Sequence, residues 1–382
     1  MLNGIEHIYK LDPLGIAITS IARIGTKIYC GLTGGSKSLT VFDIEKNEFT
    51  ETFNVFPWID DNPQLVLRKI HNSLGALQDG NILFGEGILY NWDGIPFELK
   101  NDGNTEDMQN RRLQAELPRL NLEECGPSNM ETFDLTWLKG GKILLFKPDT
   151  KNIEEIGQLP ATLYSQSMVV DPVNRKAYGH TIGNCQFFEV DIDKKTIKNH
   201  GRISTWAFHN MVVKDGIVYG AWIDFDLEAK LRVLRFDPKK GFVERLNNVL
   251  LNDPGERVQG NKGIDQWLVH SSGQIYVGIA GTGILYQFNE EKLNLTEIGR
   301  VGQGGRITSL DEDENGRVIF TGGFPKMSIG RYDPESGKLE DFGPLTEKYD
   351  KIYFHGSTYY DKKLYLAETD SGVASLWEVS LP

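Results

Sequence analysis

No apolar run in the 382-residue sequence approaches the ~20 residues a helix needs to cross a bilayer. The opening MLNGIEHIYKLDP holds neither the basic patch nor the apolar stretch of a secretion signal. As written, the chain is therefore expected in the cytoplasm, or in the periplasm or medium if a leader has been removed. Cysteine is scarce. Cys30, Cys125 and Cys185 cannot all pair, and they read as buried or idle thiols of a reducing compartment. Basic charge is in deficit: 41 Lys and Arg against 53 Asp and Glu give a formal net charge of -12, which argues against nucleic acid or an anionic membrane as partner. A local basic pocket for an anionic sugar remains compatible with it.

Motifs that would name a reaction are missing as well. There is no Gly-x-Ser-x-Gly elbow, no His-Glu-x-x-His and no Cys-x-x-Cys, so serine hydrolase, zincin and zinc-finger chemistry lose their usual signs. Gly302-Gln303-Gly304-Gly305 lacks the Lys-Ser/Thr ending and the strand-to-helix setting of a phosphate loop. Asp311 to Gly316 resembles the start of a calcium loop without its closing glutamate, and reads as a solvated hairpin turn.

What the sequence does contain is a repeated phrase: an apolar strand, a charged turn and a weaker strand. It appears in SLTVFDIEKNEFTE, KILLFKPDTKNIEEIG, CQFFEVDIDKKTIKNHG, LRVLRFDPKKGFVERL, ILYQFNEEKLNLTEIG and IGRYDPESGKLEDFG, and is cut short in SLWEVSLP. Marked at Phe42, Phe146, Val190, Phe236, Phe288, Tyr332 and Trp377, the copies lie 44 to 52 residues apart after a first interval of 104. Those spacings suit propeller blades of ~40–50 residues with one insertion. Upstream of each phrase, KIYCGL, NILFGEG, KAYGHT, IVYGAW, QIYVGI, RVIFTGG and KLYLAE mark another strand, so each unit has four strands, A to D.

The expected fold is thus all-β: a seven-bladed β-propeller of four-stranded antiparallel blades forming one domain. The last copy ends after its third strand, and IEHIYKLD stands unpartnered at the N-terminus. Pairing the two closes the ring and removes an open edge. The insertion runs from about 88 to 138 in blade 2, with a short helix expected over 106–117 between Thr105 and Pro118.

Loops entering strand A and leaving strand B share one face, where propellers offer a concave mouth. Before strand A, blade 2 reads Lys69-Ile70-His71-Asn72, blade 4 reads Phe208-His209-Asn210 and blade 7 reads Phe354-His355-Gly356. Three of seven histidines therefore take comparable places, where an imidazole can act as base, acid or metal ligand. Strand B exits add Glu86, His180 and Glu368-Thr369-Asp370. Arg68, Lys69, Arg202 and Arg306 precede inner strands, where a cation can clamp a carboxylate. Tyr29, Tyr178, Tyr219, Tyr276 and Tyr365 share one strand B position and read as packing, whereas Tyr164 and Tyr353 stand just before strand A as candidate mouth phenols.

Across nearly the whole chain these repeats, with AYGHT…FFEVD and GRYDPESGKLEDFG, resemble the propeller scaffold of bacterial polysaccharide lyases of the ulvan and oligogalacturonate types. The resemblance implies an oligosaccharide or polysaccharide substrate containing uronic acid, cleaved by β-elimination at the channel mouth with histidine and tyrosine or metal-supported chemistry. This chain shows no His-x-His metal pair. Proton transfer is expected of His71 and His209, with Tyr164 or His355 as alternates. Arg202 or Lys69 is expected to clamp the carboxylate, and Asn72, Asn210, Arg306, His180, Glu86 and Glu368 to line the substrate. The competing readings are a non-catalytic propeller holding a protein or sugar, and a metal-dependent glycoside or ester hydrolase with His71, His209 and His355 around one divalent ion.

Overall fold

The computed structural model describes residues 5–11, 17–33, 38–55, 66–90, 139–182, 185–204, 210–224, 230–250, 263–279, 281–303, 305–323, 326–346, 352–369 and 374–382. Every helical or strand element among them is a strand. The first strand, β1 (Ile5–Lys10), is followed by blade 1, built from β2 (Ala17–Ile24), β3 (Lys27–Thr33), β4 (Leu39–Asp43) and β5 (Glu48–Phe53). Next come two short strands, β6 (Val66–Lys69) and β7 (Leu74–Ala76), then β8 (Ile82–Gly85), β9 (Gly87–Tyr90), β10 (Lys142–Lys147) and β11 (Asn152–Gln158). Blade 2 is β7, β8, β10 and β11.

Blade 3 runs through β12 (Ser165–Asp171), β13 (Lys176–Thr181), β14 (Gln186–Asp191) and β15 (Thr196–Arg202). Blade 4 has β16 (Met211–Lys214), β17 (Ile217–Asp224), β18 (Lys230–Asp237) and β19 (Gly241–Leu250). Blade 5 has β20 (Ile264–Val269), β21 (Ile275–Ile279), β22 (Ile284–Asn289) and β23 (Asn294–Arg300). Blade 6 has β24 (Ile307–Glu312), β25 (Val318–Gly322), β26 (Ser328–Asp333) and β27 (Lys338–Pro344). The last sheet takes β28 (Phe354–Tyr360), β29 (Lys363–Glu368) and β30 (Ser375–Ser380) in the order β1-β30-β29-β28. Seven antiparallel sheets of this kind, the last completed by the N-terminal strand, make a seven-bladed β-propeller. The seven marker residues all fall on third strands, from Phe42 in β4 to Trp377 in β30.

Two compact units are distinguished: Tyr9–Ala207 with Ala367–Leu376, and Phe208–Leu366 with Met1–Ile8 and Trp377–Pro382. Within each, the core lies between neighbouring sheets, because each blade turns apolar residues toward both its neighbours. In the first unit Tyr29, Ile70, Phe84 and Phe146 form one such layer, and Leu145, Met168, Phe188 and Val190 share the next. In the second unit Tyr219, Val277 and Phe288 pack together, as do Ile329, Phe354, Leu366 and Trp377 with Ile8 at their edge. The repeated strand B tyrosines are buried as the repeat implies. Burial pushes the phenols of Tyr29, Tyr178, Tyr219 and Tyr276 up, which keeps them protonated packing groups.

Polar contacts also join blades. Glu154 on β11 receives Lys147 at 2.6 Å and Lys195, from the outer turn of blade 3, at 2.5 Å. The two ammonium groups hold its carboxyl down at about 2. A depressed carboxylate stabilises the fold above its unfolded pKa and stops doing so as pH falls through about 2. Replacing it, as Glu154→Gln, is therefore expected to cost under ~1 kcal/mol at neutral pH because the pair is near the surface. Urea unfolding followed down to strongly acidic pH should show wild type and variant converging.

Two expectations fall where the chain is not described. The helix over 106–117 and Cys125 lie outside the described residues. The start of the insertion does not: residues 88–90 belong to β9, because the two chain segments flanking blade 2's inner hairpin pair with each other, Val66 to Lys69 against Tyr90 to Gly87.

Candidate functional site

One irregularity recurs in strand A. In blades 1, 3, 5 and 6 the register against strand B slips, between Ile18 and Ser20, Ser165 and Ser167, Ile264 and Gln266, and Ile307 and Ser309. Each slip leaves one extra residue, Thr19, Gln166, Asp265 and Thr308, outside the ladder. A bulge re-aims a side chain and is favoured beside binding sites. Aligned on these four, Lys69-Ile70-His71-Asn72 and Tyr353-Phe354-His355-Gly356 put His71 and His355 at the same place in blades 2 and 7. His209 aligns there too and lies outside the described residues.

In the first unit the paired strands β6 and β9 gather a buried polar cluster. Lys69 pairs with Gly87 on one side and meets Thr33 of blade 1 on the other. Gly87 has no room for a side chain, since a Cβ there would sit 2.6 Å from the Ser165 carbonyl oxygen. This close approach brings Arg68, Lys69 and Glu86 against the start of blade 3. Arg68 Nη1 donates to Glu86 Oε1, whose other oxygen accepts the Lys142 amide at 2.8 Å. The Arg68 guanidinium lies 5.4 Å from the centre of the Tyr164 ring.

Gln166, the bulged residue of blade 3, then serves two partners. Its side-chain oxygen accepts Lys69 Nζ at 3.2 Å, and its carbonyl accepts His71 Nδ1 at 2.9 Å. A carbonyl only accepts, so His71 donates from Nδ1, and in the neutral ring the lone pair is then on Nε2, the tautomer of a general base. Asn72 follows with φ 44°, a left-handed conformation that asparagine tolerates better than most residues. Its amide donates to the Thr19 carbonyl and its carbonyl accepts the Met168 amide, each at 2.9 Å, tying blades 1, 2 and 3 together beside His71. The Ser165 and Ser167 hydroxyls are buried around Gln166 and have no hydrogen-bond partner among the described residues. His180, opposite Ser167 in the register, is wholly buried on β13, with Nδ1 3.4 Å from the Thr181 carbonyl oxygen.

The second unit holds a comparable stack. Arg306 grips Asp265 with both Nε and Nη2, the latter at 2.8 Å, and lies 4.8 Å from the centre of the Tyr353 ring. Tyr353 in turn meets His355 edge-on, with 5.0 Å between ring centres. Asn210 donates to the Asp265 carbonyl at 2.6 Å and accepts Trp267 Nε1 at 3.2 Å. In both units, then, an arginine leading into one blade is held by a buried carboxylate and stacked on a tyrosine leading into the next.

Several expectations acquire a definite place here. Tyr164 and Tyr353 do stand immediately before β12 and β28. The forked arginine contact expected for a substrate is made by Arg306 to a carboxylate of the protein itself. Arg202 is an exposed residue at the end of the outer strand β15, donating to the Ser204 carbonyl at 3.0 Å. Glu368 and Thr369 are buried at the end of β29, and Asp370 lies outside the described residues. The acidic run at Asp311 is a hairpin turn between β24 and β25, with Asp313 Oδ1 accepting the Asn315 and Arg317 amides at 2.9 Å. Among the described residues no three His, Cys, Asp or Glu side chains gather as metal ligands.

Sequence reading missed Asp265 and the bulge set. GIDQW carries no signal beyond an ordinary strand start, and a bulge shows only in register. Aligning the start of strand A across all seven copies brings Thr19, His71, Gln166, His209, Asp265, Thr308 and His355 into one column, and that polar column is the available sign.

The seven-bladed propeller fold has solved counterparts. No protein-family model and no curated protein matches the sequence. The structure aligns over 98% of this chain and 99% of theirs with two forms of virginiamycin B lyase from Staphylococcus aureus. These are the selenomethionine-substituted protein (TM-score 0.59, 10% identity) and a catalytically inactive variant with quinupristin (TM-score 0.61, 11% identity). It also aligns with the extracellular domain of a hybrid two-component system from B. thetaiotaomicron, at TM-score 0.54 and 14% identity, over 97% of this chain and 40% of that one. At these identities the likeness is one of fold.

Proposed function

We propose that this protein is a propeller lyase that cleaves a uronic-acid-containing oligosaccharide by β-elimination at the first unit's cluster. The observation that carries the reading is the double use of Gln166, which holds a lysine ammonium by its side chain and fixes the basic tautomer of His71 by its carbonyl. Elimination beside a carboxylate calls for that combination: a cation to neutralise the carboxylate and a base for the proton next to it. The lyase names of two fold neighbours are compatible with an elimination, though on another substrate.

In this reading Lys69 faces the uronate carboxylate and lowers the cost of negative charge spreading into it. His71 Nε2 takes the proton from the carbon bearing that carboxylate. The electron pair left behind forms the ring double bond while the bond to the glycosidic oxygen breaks. The imidazolium then returns its proton to the departing oxygen, so one group serves both steps and no water is consumed. Glu86 and the Tyr164 ring keep Arg68 in place as a second source of positive potential, and Asn72 fixes the backbone beside His71.

Incubation with oligogalacturonate or an ulvan oligosaccharide in H₂¹⁸O tests it. Elimination is expected to give a product with an unsaturated end absorbing in the near ultraviolet and no incorporated ¹⁸O. A saturated product carrying ¹⁸O would move the assignment to hydrolysis. Saturable binding without any product would make the protein a carbohydrate-holding propeller.

A further inference from the structure

At the opposite end of blades 5 and 6, away from the loops that lead into strand A, the hairpin turns border an open cleft of about 630 Å³. It lies wholly within the second unit. Its size falls in the range of small-molecule sites, ~300–1,000 Å³. His270, Ser272, Gln274, Tyr276, Gln287 and Tyr332 form its main walls.

These walls are organised by side-chain bonds. Gln287 Nε2 donates to Gln274 Oε1 at 2.5 Å, which orients both amides. His270 Nε2 donates to the Gly316 carbonyl of blade 6 at 2.9 Å, so Nδ1 bears the lone pair and accepts the Ser272 hydroxyl at 2.7 Å. Tyr276 meets His270 edge-on at 5.5 Å and Tyr332 at 5.9 Å between ring centres, and burial pushes its phenol up, keeping its hydroxyl a donor.

We infer that this cleft is a second binding site, for a neutral sugar of one or two rings. The lining offers amides and hydroxyls in planar or fixed orientations, with the Tyr332 ring as an apolar surface for the C–H face of a pyranose. Neither lysine nor arginine lines it, and one carboxylate, Glu335, does. That charge balance selects against anionic ligands and distinguishes the cleft from the cationic cluster in the first unit.

The test is a titration of the full chain with cellobiose, maltose and a galacturonate disaccharide, followed by NMR of the ligand signals and by calorimetry. Saturable binding of at least one neutral disaccharide is expected, with a dissociation constant on the order of 1 mM. Gln274→Ala, at an exposed hairpin tip, and Gln287→Ala should each weaken it about tenfold without changing the melting temperature, since one well-made hydrogen bond is worth about that factor. His71→Asn should leave it intact, which separates this site from the proposed lyase centre. Preference for the galacturonate disaccharide, no saturable binding of any neutral disaccharide, or unchanged affinity in both glutamine variants overturns the inference.

Discussion

Converting His71 to alanine is expected to lower kcat on uronate oligosaccharides by ~10²–10⁴-fold, the usual worth of a positioned general base. The imidazole is buried and bonded, so alanine also removes a hydrogen bond of about 0.5–1.5 kcal/mol and leaves the Gln166 carbonyl short of a donor. Asparagine separates the two effects. Its side-chain amide can reproduce the Nδ1 donor but has no basic nitrogen, so His71→Asn should melt within about 2 °C of wild type while staying as inactive as alanine. Steady-state rates beside a thermal melt measure both. An asparagine variant with wild-type turnover would remove His71 from the chemistry.

Removing residues 1–10 should have the largest effect on stability. It strips β1 from β30, leaving the last sheet with three strands and an unpaired edge. The Ile8 contact with the Phe354, Leu366 and Trp377 layer goes, and so does the Tyr9 ring, which lies tilted against Phe42 at 4.6 Å between centres. A loss of ~5 kcal/mol, at about 2 °C per kcal/mol for a chain above 250 residues, lowers Tm by on the order of 10 °C. Calorimetry of the truncated chain checks this, and an unchanged melt would mean that β1 contributes nothing to closure.

The blades were legible because each carries its own local signal. An apolar third strand and a charged turn recur at nearly constant spacing, and the strand B tyrosine repeats with them. The β6–β9 ladder was not legible. VLRK and GILY are too short for a period to show, and their pairing follows from the return of the chain after β8. The site was half legible. His71, Lys69, Glu86 and Tyr164 stood out as chemistry-bearing types next to strand A or B. Their mutual contacts depend on Gln166, whose amide looks like any strand residue until the bulge turns it toward Lys69. Arg202 misled because its distance along the chain from β16 suggested an inner position, whereas its strand is the outermost of blade 3.

The bulge in strand A has an evolutionary corollary. A residue expelled from the ladder makes no obligatory pairing, so its identity can drift while the sheet around it is preserved. Thr19 and Thr308 carry a hydroxyl, Gln166 an amide and Asp265 a carboxylate on one backbone plan. Each of these four blades thus offers descent one interchangeable position beside an unchanged ladder, and a change of chemistry can arise by substitution there without a matching rearrangement of the core.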